Sequence, residues 1–97
     1  MNRVIDRLKI CADAHNLDYE YSPEEYSFWI KGCDVPTLAD VRGIIKGFTG
    51  STDAIDASEE WDAIEIFLDE IVLLPEKEID WAMINLALPY NYSPLTC

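Results

Sequence analysis

Apolar positions recur at steps of three and four near the start of the chain. Val4, Ile5, Leu8, Cys11, Ala12 and His15 fall on one face of a helix predicted over residues 2–15. Arg3, Asp6, Arg7 and Asp13 fall on the other face, and Asn16 is a stop signal. The period then changes to two. Leu17, Tyr19 and Tyr21 alternate with Asp18 and Glu20, and Tyr26, Phe28 and Ile30 alternate with Ser27, Trp29 and Lys31. With the turn Ser22-Pro23-Glu24-Glu25 between them, the two runs predict a hairpin ending at Gly32. A bare hairpin is marginal in water, so this one is expected to pack on helices. Trp29, on its outward side, is an unusual residue for a solvent face.

A second helix is predicted after the loop Asp34-Val35-Pro36-Thr37. Thr37 and Asp40 have capping-box spacing, Leu38, Val41, Ile44, Ile45 and Phe48 form the apolar stripe, and Gly47 and Gly50 end it. Gly43, inside that stripe, suggests close approach of a neighbouring element. Next, Ser58 is a good N-cap, with Glu59 and Glu60 in the first turn. Trp61, Ile64, Phe67, Leu68, Ile71 and Leu74 supply a stripe for a third helix. A strand over Ala63–Leu73 is the competing reading. It sets Glu65, Asp69 and Glu70 against apolar neighbours on both faces, so the helix is preferred. Pro75 suits the start of a fourth helix whose inward positions are Ile79, Ala82, Met83 and Leu86, stopped by Pro89. Residues 90–97 read as a tail pinned by Tyr90 or Tyr92. The fold class is therefore α+β: a mainly helical single domain over residues 1–97, in the order helix, β-hairpin, helix, helix, helix.

Charge changes this picture. The net charge is −12 over 97 residues, and it is unevenly placed. Through residue 50 there are eight acids and six bases; from residue 51 there are eleven acids, all between Asp53 and Asp80, and one base, Lys77. Such a one-sided field attracts basic partners and disfavours direct binding to nucleic acid or anionic membranes. An apolar fraction of 49% still predicts a packed core. Cys11, Cys33 and Cys97 form no paired framework, which fits a reducing compartment. No segment has the pattern of a signal peptide or membrane span, and a cytoplasmic protein is expected.

Candidate chemistry is sparse. His15 is the single histidine, and no nucleophile motif, zinc-ligand spacing, calcium loop or phosphate-binding glycine loop is present. No catalytic residue, cofactor or metal is expected. The acids remain. On predicted helices Asp62, Glu65 and Asp69 would make a line of carboxylates, as would Glu76 and Asp80. Like charges at such spacing cost roughly 0.2–0.5 kcal/mol per pair. The candidate partner-binding face is thus Glu59, Glu60, Asp62, Glu65, Asp69, Glu76, Glu78 and Asp80, with Trp29 and Trp81 as aromatic anchors.

In size, in the acids from Asp53 to Asp80 and in the lack of a catalytic constellation, the chain resembles small phage-encoded inhibitors of bacterial defence, the anti-CRISPR and anti-restriction proteins. The resemblance is compositional and implies a DNA-mimic face offered to the basic groove of a nuclease or CRISPR surveillance complex. It also implies a host bacterial cytoplasm. Rival readings are an acidic immunity, antitoxin or adaptor protein, a homo-oligomer joined through Trp29, Trp61 and Trp81, and an enzyme with a carboxylate-bound metal. A monomer or small homo-oligomer is expected.

Overall fold

The computed structural model describes residues 2–58, 60 and 62–87. In chain order these form α1 (Asn2–Ala14), β1 (Tyr19–Ser22), β2 (Ser27–Ile30), α2 (Val35–Thr49), β3 (Ile55–Ser58), β4 (Ala63–Phe67) and α3 (Trp81–Leu86). Single 3-10 turns occur at Leu68–Glu70 and Glu76–Glu78. The α+β class holds. The four strands make one antiparallel sheet in the order β1-β2-β4-β3, two hairpins laid side by side along their second strands.

The helical stripe of α1 is the buried one: Val4, Ile5, Leu8, Cys11 and Ala12 enter the core. Asn16 takes φ 57°, a left-handed conformation that asparagine tolerates, and the chain turns into β1. Helix α2 begins differently from the predicted capping box. Asp34 is the N-cap and accepts the Thr37 N–H at 2.8 Å, while Asp40 reaches across to α1. Gly50 closes the helix at φ 78°, its N–H donating to the Lys46 carbonyl at 2.7 Å. Gly47 therefore lies inside α2 rather than at its end.

The predicted third helix does not form. Its residues supply β4 and a 3-10 turn, and Ser58, its predicted N-cap, ends β3. The competing strand reading wins for a reason local to β4. Ile64 and Ile66 point inward and pair with Ile30 and Phe28 of β2, and all four side chains are fully buried. Glu65 points the other way, to the side that the helices leave open. Asp69 and Glu70 fall beyond the strand's end, so they never meet the apolar face. β-Branched pairs on a half-buried pleated surface outweigh the helical period. Ser58 is accordingly a strand residue, not a cap.

The fourth helix is also shorter than predicted. Pro75 leads only into the 3-10 turn, and α3 starts at Trp81, where Asp80 caps it by accepting the Met83 N–H at 2.9 Å. Ile79, Ile84 and Ala87 turn inward, whereas Leu86 is 83% exposed. Pro89, Tyr90 and Tyr92 lie outside the described residues.

The core joins α1, α2 and α3 to one face of the sheet through Leu8, Phe28, Ile30, Ile44, Ile45, Phe48, Ile64, Ile66 and Ile84, all fully buried. Helices α2 and α3 approach closely at Gly47. A Cβ there would stand 2.5 Å from Ile84 Cγ1 and 3.0 Å from the Asp80 carbonyl oxygen. The Asp80 N–H donates to the Gly47 carbonyl at 3.0 Å. Gly43 has the close neighbour its position suggested: Ala87 Cβ would lie 3.3 Å from its added carbon. Among the described residues no helix is long and apolar enough to cross a membrane.

Candidate functional site

With the helices on one face, no helix or strand among the described residues covers the other face of the sheet, and strand register determines what it displays. Glu20 of β1 pairs with Trp29 of β2, Trp29 with Glu65 of β4, and Glu65 with Asp56 of β3. Since alternate residues share a face, these four make a row across the whole sheet: carboxylate, indole, carboxylate, carboxylate. Glu20 and Asp56 are exposed, and Trp29 and Glu65 are half-buried. Beside the row lies a hollow of about 460 Å³ lined by Trp29, Lys31, Asp62 and Ala63. Alanine at 63, next to the large indole, leaves the space.

Within the row, the surroundings of Glu65 favour its protonated form. Partial burial, with the nearby charges of Asp56 and Glu25, raises the Glu65 carboxyl above its ordinary range, and hydrogen bonding with Ser27 offsets only part of the effect. Lys31 is the neighbouring base. Its Nζ lies 3.2 Å from Glu20 and 5.8 Å from the centre of the Trp29 ring. Lys31 is about half exposed and Glu20 about two-thirds, so the ion pair is weak and open to exchange.

The predicted acidic residues separate into two groups. Glu65 belongs to the open face, and Asp62 borders the hollow, with its Oδ1 accepting the Cys33 N–H at 3.1 Å. Asp62 also takes φ 49°, so its carboxylate is part of the hairpin return. Asp80 is occupied as the α3 cap. Glu76 makes a two-point pair with Arg3 at 2.8 and 2.9 Å. That bond holds the Glu76 carboxyl below its ordinary range and raises the Arg3 guanidinium. Glu60, Asp69 and Glu78 are exposed, and Glu59 lies outside the described residues. The line Asp62–Glu65–Asp69 does not exist, because β4 replaces the helix that would have aligned it.

The two aromatic candidates also part company. Trp29 lies on the open face. Trp81 packs edge-on against Phe48 at 5.4 Å between ring centres and stacks under Arg3 at 5.3 Å, a role within the helical layer. Trp61 lies outside the described residues. Asp56 and Glu20 were not among the predicted site residues. The alternation Ile55-Asp56-Ala57 carried the signal for Asp56, but only once residues 55–58 are read as a strand.

A second constellation joins α1 to α2. Cys11 and His15 are four residues apart on α1 and its final turn, and Asp40 faces them from α2. His15 Nε2 and Asp40 Oδ2 are 2.6 Å apart, an imidazole–carboxylate hydrogen bond. The cysteine is fully buried, and burial, followed by the charges of Asp40 and Asp34, pushes its thiol up to about 12. A nucleophilic cysteine needs an accessible thiolate, and Cys11 has neither the access nor the ionisation. Hydrogen bonding from Thr37 holds the nearby Asp34 carboxyl below its ordinary range.

No protein-family model, no curated protein and no solved structure matches this chain.

Proposed function

We propose that the protein is an inhibitory binding module whose open sheet face docks on a basic, DNA-binding surface of a bacterial nuclease or CRISPR surveillance complex. The observation that carries this reading is the row Glu20–Trp29–Glu65–Asp56, which the register places across all four strands. Carboxylates steer a cationic partner from a distance, and the half-buried indole with its adjoining hollow supplies a desolvated anchor at contact. The raised Glu65 carboxyl supports the same reading. Among the described residues no cation is ion-paired with Glu65, and an arginine or lysine of the partner would supply one. The sheet face thus replaces the paired acidic helices as the mimic of a phosphate row.

The test is capture from a bacterial lysate at low salt, with elution along a salt gradient. It is followed by a competition assay in which the captured protein's DNA binding is measured with and without this chain. Binding is expected to weaken steeply with salt. Paired reversal of Glu65 and Asp56 to lysine should abolish competition, whereas reversal of Asp6 and Asp13, exposed on α1, should leave it intact. Salt-independent binding, or equal effects of the two pairs, would overturn the proposal. Rescue of cell growth by co-expression with a captured toxin, without an effect on DNA binding, would assign the face to an immunity role.

A further inference from the structure

We propose that Cys11, His15 and Asp40 form a three-ligand binding site for a divalent metal ion of the zinc class. The site is independent of the open sheet face and is built where α1 crosses α2. One ligand atom from each residue, the Cys11 sulfur, a His15 ring nitrogen and an Asp40 carboxylate oxygen, lies within 4.8 Å of the other two. The placement follows from helical geometry. Residues four apart stack on one face, so Cys11 and His15 project together from α1, and Asp40 closes the third corner from α2.

The donor chemistry selects the class of ion. A thiolate, an imidazole and a carboxylate form a mixed sulfur, nitrogen and oxygen set, suited to zinc and poorly suited to magnesium or calcium, which take oxygen ligands. Zinc bonds of about 2.0–2.3 Å at tetrahedral angles set donors about 3.3–3.6 Å apart. The widest gap here therefore has to close by roughly 1 Å, within the reach of side-chain torsions, and the 2.6 Å His15–Asp40 contact has to open slightly. Binding replaces the proton on the thiol and any proton on the ligating nitrogen, and these pass to solvent. The two negative ligands then balance the ion's charge.

Burial makes this an arranged site rather than a surface coincidence. Cys11 is fully buried, and the His15 and Asp40 side chains are only 15% and 22% exposed. That partial opening faces the imidazole and carboxylate, so a fourth position is accessible to water or to a small ligand, as in open zinc sites with three protein ligands. Asp34, at the N-cap of α2, acts electrostatically on both Cys11 and His15 and adds negative potential around the cluster. In sequence the cluster is hidden: Cys11 and His15 lack a second Cys–His pair, and Asp40 lies 25 residues beyond His15.

Titration of the purified full chain with Co²⁺ under a non-thiol reductant tests the site. The wild type is expected to bind one equivalent, with a thiolate-to-cobalt charge-transfer band in the near ultraviolet and intense visible bands of a four-coordinate ion. Zn²⁺ should abolish both. C11S should remove the charge-transfer band. D40N and H15A should weaken binding by roughly 100-fold or more, beyond the roughly 10–100-fold that loss of an outer-shell partner costs. C33S and C97S should leave the spectrum unchanged. C11S alters a buried side chain, so D40N, whose position is partly exposed, keeps the test decisive if C11S fails to fold. Absence of a charge-transfer band in the wild type, its loss in C33S or C97S, or unchanged affinity in D40N would overturn the proposal.

Discussion

Glu65 and Gly47 show how much a single position can carry. The folded protein raises the Glu65 carboxyl, so the folded state binds its proton more tightly than the unfolded chain does. Glu65 contributes most favourably below the unfolded value, and that contribution is lost as pH rises through the higher folded value. Glu65→Gln should therefore raise the melting temperature at pH 7 by the equivalent of a few tenths of a kcal/mol, since the group is partly solvated. The gain should vanish in melts recorded below about pH 4. Gly47 poses a different constraint. Alanine usually improves a helix interior by about 1 kcal/mol relative to glycine. Here the new carbon would enter Ile84 and the Asp80 carbonyl, so Gly47→Ala is expected to destabilise by about 1–3 kcal/mol in chemical denaturation.

At the scale of elements, α3 depends on its ends. It has six residues, too few to persist by propensity, and it is held by the Asp80 cap and by Ile84 in the core. Asp80→Ala should cost about 1 kcal/mol by denaturant unfolding and should increase amide exchange over Trp81–Leu86. This carboxylate was read from sequence as part of a binding face, because an N-cap and a surface acid look alike until the helix start is known. The first half was more legible. The stripe from Val4 to Ala12 and the alternation of Phe28 and Ile30 with Ser27 and Trp29 each match one period, and α1 and β2 follow them, whereas Tyr26, inward by the same alternation, falls in the turn at φ 53° and is 61% exposed. Residues 58–74 satisfy both periods, since Ile64, Phe67, Leu68 and Ile71 are spaced for a helix while Ile64 and Ile66 suit a strand. The choice is made by β2, whose Ile30 and Phe28 present an apolar edge partner that local sequence does not reveal.

For the whole molecule, charge asymmetry was legible and its arrangement was not. The acids between Asp53 and Asp80 are distributed over a strand face, a hairpin return, two 3-10 turns and a helix cap, and several are committed to internal bonds. Net charge therefore overstates the surface available to a partner. The open face depends on Asp56 and Glu65 together with Glu20 from the nearly balanced first half. In surface-bound competition measurements, single reversals along the row should show a gradient. Glu65, centrally placed beside Trp29, should lose the most binding and Glu20, already paired with Lys31, the least. Equal losses at all three positions would indicate long-range steering alone.

The sheet order has a consequence for biogenesis. β2 sits in the middle of the sheet, but its inner neighbour, β4, is made 33 residues after β2 ends, with α2 and β3 intervening. A chain emerging from the ribosome can complete α1, the first hairpin and α2 while the far edge of β2 still has its backbone groups unsatisfied. Phe28 and Ile30 lie along that edge, which is a template for pairing with another nascent chain. The interval before Ala63–Phe67 arrives is thus the period of greatest exposure to misassembly, and the late strand acts as a seal as well as a structural member.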